Sequence, residues 1–208
     1  MKSKSANFNI AIVSLFGAII IVMALVPFLG YIPLGFMNAT LLHVPVIIAS
    51  IVLGPKYGAI LGFVFGATSL VQNTVSPNLT SFVFSPFYAQ GNWLSLIICF
   101  IPRILVGIVP HYVYQFFAKH IKKKGEVVSL ALAGIAGSLT NTILVMGGIY
   151  LFFDKEYAAA KNLPVESLFG VIMGIVGLNG VPEAIVAAIL TCAIAKALLV
   201  YKRKKILD

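Results

Sequence analysis

Long apolar stretches separated by short polar breaks dominate the chain. The stretches cover residues 8–29, 39–53, 57–73, 93–117, 127–153 and 182–200, and a shorter apolar piece covers residues 168–178. A helix that crosses a membrane needs about 20 mainly apolar residues, so this pattern predicts six transmembrane helices. We therefore expect an all-α integral membrane protein that forms one domain over residues 1–208.

The composition supports this interpretation. Of the 208 residues, 60% are hydrophobic and only 10% are charged, and the mean hydropathy is +1.03. A soluble domain of this length cannot bury so much apolar sequence, so both an ordinary water-soluble fold and a disordered chain are excluded. The two cysteines are too few for a disulfide-stapled scaffold.

The positive charges concentrate at one set of helix ends. The formal net charge of +9 would by itself also suit a nucleic-acid-binding protein. With the amino terminus inside, only Lys155 and Lys161 fall in outer loops, and twelve basic residues fall inside or at inner helix ends. These twelve are Lys2, Lys4, Lys56, Lys119, Lys122, Lys123, Lys124, Lys196, Lys202, Arg203, Lys204 and Lys205. By the positive-inside rule, we expect both termini in the cytoplasm and no nucleic-acid partner.

The most informative polar residue is Arg103. It lies about ten residues into the fourth stretch, which at 1.5 Å per residue is close to the middle of the membrane. A charge at that depth costs at least about 2.5–3.5 kcal/mol, so an intramembrane arginine is a candidate functional residue. Three interpretations remain open: Arg103 snorkels to the membrane surface, pairs structurally with Glu183, or holds a carboxylate or phosphate of a ligand.

Further polar side chains extend this candidate site. Glu183 begins the last helix, where it either interacts with the helix dipole or accepts hydrogen bonds from substrate hydroxyl or amide groups. Asn141 is deep in the fifth stretch and either binds substrate or joins two helices. Gln72 and Asn73 end the third stretch on the predicted outer side, where we expect them to line the same vestibule.

A break at residues 179–182 adds one more candidate. Its Asn-Gly-Val-Pro sequence predicts either a broken helix, as in transporter binding sites, or a plain helix end at the surface. His43, near the start of the second stretch, is more typical of a structural histidine than of a ligand. The candidate substrate-binding residues are Arg103, Asn141, Glu183, Gln72, Asn73, Asn179 and His43.

Small residues and one loop predict contacts. Glycines recur at every fourth position of the third stretch, a pattern that predicts close helix packing. A second stripe of small residues on the first helix either packs inside the bundle or contacts another protein. The uncharged loop 72–92 either folds over a pocket or is a plain connector. The glycines are Gly58, Gly62 and Gly66, and the stripe comprises Ala11, Ser14 and Ala18.

Several functional signatures are absent from the sequence. It has no phosphate-binding loop for ATP, no chain of intramembrane acids for proton coupling, and no Cys, His and acid cluster with metal-ligand spacing. We therefore expect no metal and no cofactor. A membrane protein that binds a solute without an energy source of its own needs a partner.

Six segments together resemble a known family, the substrate-binding S components of energy-coupling factor (ECF) vitamin transporters. They are residues 43–48, 53–59, 81–87, 101–107, 137–142 and 179–184. Residues 81–87 and 147–153 look most like the pantothenate-specific branch, and related branches handle pyridoxine or hydroxymethylpyrimidine. The resemblance covers the chain from Ala11 to the final helix.

The resemblance implies a six-helix subunit of the bacterial cell membrane that captures a vitamin from outside. Its implied partners are a transmembrane coupling protein, two cytoplasmic ATPases that supply the energy, and membrane lipid. The family often carries an A-x-x-x-A contact motif on its first helix. Here Ser14 and Ala18 are the nearest match, with Ala11 one turn earlier.

The sequence leaves three classes of function to compare. Vitamin capture as an S component is the main prediction, and a self-sufficient secondary carrier is disfavoured because proton-relay acids are missing. An intramembrane enzyme is disfavoured because the sequence offers no nucleophile–base pair and no metal set. Pantothenate carries a carboxylate, two hydroxyls and an amide, which suits Arg103, whereas pyridoxine would have less use for an arginine.

Overall fold

The computed structural model describes residues 2–26, 30–33, 38–121 and 125–207, which are mainly helical. The helices are α1 (Lys2–Leu25), α2 (His43–Leu53), α3 (Pro55–Val75), α4 (Trp93–Val106), α5 (Val109–His120), α6 (Glu126–Phe152), α7 (Asp154–Ala160), α8 (Leu168–Ile175) and α9 (Val181–Leu207). Two short antiparallel strands, β1 (Tyr31–Pro33) and β2 (Asn38–Thr40), pair between α1 and α2, with Tyr31 opposite Thr40.

Four stretches of helix in the described part of the chain are long and apolar enough to cross a membrane. They are Pro55–Val75, Trp93–His120, Glu126–Phe152 and Val165–Lys204, and two shorter apolar helices cover Asn9–Leu25 and His43–Leu53. The predicted all-α membrane architecture is confirmed at this level, whereas the number of six crossings stays a prediction.

The short helix α2 forms the centre of the bundle. All eleven of its residues are buried, and α3, α6 and α9 pack around it. At 1.5 Å per residue it is only about 16 Å long, so it does not span a bilayer core of about 30 Å by itself. Its position explains why its sequence is apolar on every side rather than on one face.

The predicted fourth span is divided into two helices. α4 ends at Val106 and α5 begins at Val109, with Gly107 and Ile108 between them. Pro110 at the start of α5 has no N–H to donate to the Val106 carbonyl, which favours an interruption at this point. A Cβ on Gly107 would collide with the backbone of Gly58 in α3, so the interruption lies against a glycine of the neighbouring helix.

The predicted glycine face of α3 is confirmed. A Cβ on Gly58 would collide with the Gly107 carbonyl, and one on Gly62 would collide with the Arg103 carbonyl. A Cβ on Gly66 would come within 2.7 Å of the Phe100 ring. α3 and α4 therefore approach each other almost backbone to backbone, and this contact fixes the backbone that carries Arg103.

The predicted interruption at residues 179–182 is wrong. The chain stays helical from α8 through a π-helical turn, Val176–Gly180, into α9. The wider turn changes the hydrogen-bonding pattern just before Pro182, so the proline, which lacks an N–H, does not end the helix. The last apolar helix therefore begins well before residue 182, where the sequence analysis placed its start.

α1 packs against the bundle through one face. Ile12, Phe16, Ile20 and Ala24 repeat every four residues and are buried in the main apolar core. Ala11, Ser14 and Ala18 lie on the opposite side and are exposed. Of the two interpretations of this small-residue stripe, packing inside the bundle is therefore excluded.

Candidate functional site

A cavity of about 220 Å³ lies between the carboxyl-terminal half of α3, α4 and α6. Ligand sites for drug-sized molecules have roughly 300–1,000 Å³, so this cavity suits a smaller solute. Polar residues and apolar side chains share its wall. The lining consists of Ala24, Thr40, Leu42, Phe65, Thr68, Ser69, Gln72, Asn73, Asn78, Phe84, Arg103 and Asn141.

Arg103 supplies a positive charge to this wall. Its side chain is only 6% exposed, and its Nη1 donates a hydrogen bond of 2.8 Å to the Ile98 carbonyl. Its Cζ lies 4.9 Å from the centre of the Phe84 ring and 5.5 Å from that of Phe65. Both distances are within the range of cation–π interactions, so the aromatic faces stabilise the buried charge. A guanidinium held in this way is well suited to bind a carboxylate or a phosphate.

Two side-chain amides join Arg103 on the cavity wall, as predicted. Gln72 lies near the end of α3, and Asn141 lies in the middle of α6. The Oδ1 atom of Asn141 is buried and has no hydrogen-bond partner among the described residues. A buried acceptor without a partner is costly, and it is ready to accept a hydrogen bond from an N–H or O–H group of a ligand.

Asn73 also lines the cavity, but its amide is engaged within the protein. Its Nδ2 donates to the Ser69 carbonyl at 2.9 Å, and its Oδ1 accepts a 2.8 Å hydrogen bond from Ser81. The second contact joins α3 to the loop that follows it. Asn73 therefore holds the wall in place through both of its polar ends.

Residues 76–92, which we name the strap, fold over the cavity. Besides the Asn73 contact, Thr74 bonds to the Ser85 hydroxyl at 2.8 Å, and the Tyr88 hydroxyl donates to the Thr74 carbonyl at 2.7 Å. The strap contributes Asn78 and Phe84 to the lining. Of the two interpretations of this uncharged loop, the one in which it covers a pocket is therefore confirmed.

Three predicted site residues do not line this cavity. Glu183 is buried at the start of α9, and its carboxylate accepts a 2.7 Å hydrogen bond from the backbone N–H of Thr40, which does line the cavity. No ion pair between Glu183 and Arg103 occurs in the ranges that the structure describes. His43 is buried in α2, and Asn179 lies in the π-helical turn with a buried side-chain oxygen. For these three residues, direct contact with a ligand stays a prediction.

Several lining residues were missed by the sequence analysis. Phe65, Thr68 and Ser69 recur at the spacing of one helix face with the predicted residue Gln72, so this period could have placed them beside it. Phe84 gives no comparable signal, because an aromatic residue in a loop of a membrane protein is not unusual by itself.

The described residues contain no group of three or more His, Cys, Asp or Glu side chains that could hold a metal ion. The arrangement instead offers one cation, uncharged donors and acceptors, and apolar side chains around a small volume. Such a wall is chemically suited to a small polar anion.

Comparisons with known proteins agree with this chemistry. The family of the ECF transporter substrate-specific component matches residues 8–195. The chain is 40% identical over 204 residues to the pantothenic acid transporter PanT of Lactococcus lactis subsp. cremoris (strain MG1363), and the match covers 95% of this chain and 96% of that protein. It is 33% identical over 205 residues to the pantothenate transporter PanT of Leuconostoc mesenteroides subsp. mesenteroides, covering 94% of each. This chain is a multi-pass bacterial membrane protein that belongs to the family of substrate-specific components of ECF transporters.

Proposed function

We propose that this chain captures pantothenate and delivers it across the membrane as the substrate-specific subunit of an ATP-driven ECF transporter. The observation that carries the proposal is the buried Arg103 on the wall of a small cavity. Its guanidinium is opposite in charge to the carboxylate of pantothenate, and its planar fork can donate two parallel hydrogen bonds to the two carboxylate oxygens. The pantothenate transporters to which the chain is similar support the same assignment.

The rest of the cavity wall fits the remaining groups of the vitamin. Asn141 and Gln72 offer amide donors and acceptors to the hydroxyls and the amide of pantothenate. Leu42 and Phe65 offer apolar surface to its methyl groups. In this proposal Arg103 fixes one end of the ligand and the amides fix the other groups.

The proposed assembly and orientation follow from the family and the charges. The subunit docks to a transmembrane coupling protein that carries two cytoplasmic ATPases. It crosses the membrane six times with both termini in the cytoplasm, and the asymmetry of twelve inner against two outer basic residues supports this orientation. The cavity then opens towards the outside.

The proposal is tested by binding to the purified chain. Arg103→Ala should weaken pantothenate binding by about 30-fold to several thousand-fold, or roughly 2–5 kcal/mol, because it leaves a carboxylate buried without a partner. Arg103→Lys should recover only part of this loss, since an ammonium lacks the planar fork. Calorimetry with pantothenate and with pantothenol, in which an alcohol replaces the acid, measures both effects.

The chain offers a matched control, because its second arginine is remote from the cavity wall. Arg203 lies near the end of α9, is 59% exposed and pairs with Glu126. Arg203→Ala should leave the affinity for both ligands unchanged. The wild type should prefer the acid, and Arg103→Ala should bind both ligands about equally. If Arg103→Ala keeps the preference for the acid, Arg103 is a structural charge and the assignment to pantothenate fails.

A further inference from the structure

One proline lies inside the helix that carries Arg103. In a regular α-helix, the N–H of residue 102 donates to the carbonyl of Ile98, four residues earlier. Pro102 has no N–H, so this carbonyl loses its helical partner inside a membrane-spanning segment. In the interior of a membrane, such a freed carbonyl must be satisfied by another group of the protein.

The side chain of the next residue fills this role. Arg103 Nη1 donates to the Ile98 carbonyl at a distance of 2.8 Å. The arginine side chain therefore folds back along α4 towards its amino-terminal end, where the Phe65 and Phe84 rings flank the guanidinium. The backbone of Arg103 is fixed as well, because its carbonyl packs against Gly62 of α3.

We propose that Pro102 is a positioning residue for the ligand carboxylate. By freeing the Ile98 carbonyl, the proline gives the Arg103 guanidinium a hydrogen-bond anchor that holds its fork at the cavity wall. An anchored guanidinium loses less conformational freedom when the carboxylate binds, and so binds it more tightly. The proposal rests on the proposed role of Arg103 and extends it to selectivity for acids.

The variant Pro102→Ala tests the role of the anchor. Alanine restores the backbone N–H, which then competes with Arg103 for the Ile98 carbonyl. Because alanine also favours helix, the variant should unfold at the same temperature as the wild type or higher. Its affinity for pantothenate should nevertheless fall roughly five- to fiftyfold, while its affinity for pantothenol changes little. A purely structural proline would move both affinities together.

Pro55→Ala is the matched control. Pro55 lies at the start of α3, where a backbone N–H has no acceptor within the helix, so this proline frees no helical carbonyl. The N–H that alanine restores there competes for no carbonyl of the helix, and the substitution should change neither affinity. A second control is the double variant Pro102→Ala/Arg103→Ala. In the absence of the guanidinium, replacing Pro102 should have no further effect on pantothenate binding.

A measurement without ligand separates this proposal from the proposed function. The chain contains only two arginines, Arg103 and Arg203, so the NMR spectrum of protein labelled with ¹⁵N-arginine has two guanidinium groups. An anchored Arg103 should show slow rotation about its Cζ–Nη bonds in the wild type and faster rotation in Pro102→Ala.

Each result has one meaning. Equal rotation rates in the two proteins overturn the role of Pro102, whatever the chain binds. If the rates differ but the wild type shows no preference for pantothenate over pantothenol, the anchor is real and the proposed function fails. If the wild type prefers the acid and Pro102→Ala keeps the full preference, the anchor has no role in selectivity and the proposal fails while the proposed function stands.

Discussion

The guanidinium of Arg103 is buried in the apolar interior of a membrane protein, where a charge costs at least about 2.5–3.5 kcal/mol. A hydrogen bond to the Ile98 carbonyl and the faces of two aromatic rings are among the contacts that offset part of this cost. Each cation–π contact contributes about 0.5–2 kcal/mol in such surroundings. The same contacts also restrict where the guanidinium can point, so stabilising the charge and presenting it to a ligand are one structural arrangement.

Glu183 does not line the cavity, but its contribution to the position of the cavity wall can be tested. The Glu183 carboxylate holds the backbone N–H of Thr40, and Thr40 lines the cavity. Glu183→Ala should weaken the binding of pantothenate and of pantothenol by the same factor, roughly three- to tenfold, because it loosens the wall and leaves the contact with the ligand charge unchanged. Glu183→Gln keeps an acceptor oxygen and should bind almost as well as the wild type. Calorimetry on the three proteins measures both ligands.

The ratio of the two affinities is the decisive quantity for Glu183. A carboxylate next to a bound anion repels it, so its removal would favour the acid over the alcohol. An increased preference for pantothenate in Glu183→Ala would therefore place Glu183 beside the ligand carboxylate and contradict a role through Thr40.

Particular residues show which parts of the candidate site can be predicted from the sequence alone. Arg103 and Asn141 could be predicted because a polar group in an apolar stretch is costly and therefore informative. Phe84 could not, because an aromatic residue in a loop that lines a binding wall has the same sequence signature as one in the core or facing lipid. Phe65 gives no signal by itself either, and only its helical spacing from Gln72 places it on the same wall. The hydrogen bond between Asn73 and the strap could not be predicted either, because it depends on how the strap folds to bring Ser81 next to α3.

At the scale of elements, α3 serves two purposes on adjacent faces. One face carries Gly58, Gly62 and Gly66, which allow α4 to approach closely. The neighbouring face carries Phe65, Ser69 and Gln72, which line the cavity. Since both faces belong to one rigid helix, the close contact with α4 sets the distance between these cavity residues and Arg103.

Gly62→Ala should disturb the fold and the site together. Its methyl group would collide with the Arg103 carbonyl, and overpacking of this kind typically costs about 1–3 kcal/mol. We expect a lower unfolding temperature in detergent and weaker binding of pantothenate, because α4 moves away with Arg103.

Gly147→Ala in α6 is the matched control, since no atom lies within 4 Å of the added Cβ. Alanine favours helix over glycine by roughly 0.5–1 kcal/mol, so this variant should be as stable as the wild type or more stable. Equal unfolding temperatures for the wild type and Gly62→Ala would show that α3 and α4 can separate at little cost.

The elements also show why one prediction from the sequence failed. The hydrophobic pattern located most helices, and the glycine repeat located their closest contact. The Asn-Gly-Val-Pro sequence predicted an interruption, but the chain accommodates Pro182 through a π-helical turn. Local residue preferences cannot distinguish these two outcomes, because they depend on packing: the π-helical turn lies against α6, where a Cβ on Gly180 would come within 3.1 Å of the Thr142 side chain.

At the scale of the whole molecule, the two ends of the bundle differ in chemistry. The end that holds the cavity is closed by the uncharged strap. At the opposite end, Lys202 donates to the Val52 carbonyl at 2.7 Å, and Arg203 pairs with Glu126 at 2.5 Å. These contacts tie the end of α9 to α2 and α6, and Lys202 satisfies a carbonyl in the last turn of α2 that has no helical partner.

The last prediction concerns the exposed stripe on α1. Ala11, Ser14 and Ala18 face away from the bundle, and small side chains allow another helix to approach closely. Ala18→Leu should therefore weaken docking to the transmembrane coupling protein, because the larger side chain separates two close backbones. Binding of pantothenate by the solitary subunit should not change, since no residue of this stripe lines the cavity.

The matched control is Ala118→Leu, which enlarges an exposed alanine on α5, away from α1. Co-purification of the subunit with the coupling protein and its ATPases measures docking, and calorimetry on the subunit alone measures binding. Docking should fall for Ala18→Leu and stay at the wild-type level for Ala118→Leu. If both variants dock like the wild type, the small residues on α1 are not the contact face. If Ala18→Leu loses binding and docking to the same extent, the substitution disturbs the subunit itself, and the assignment of this stripe to docking fails.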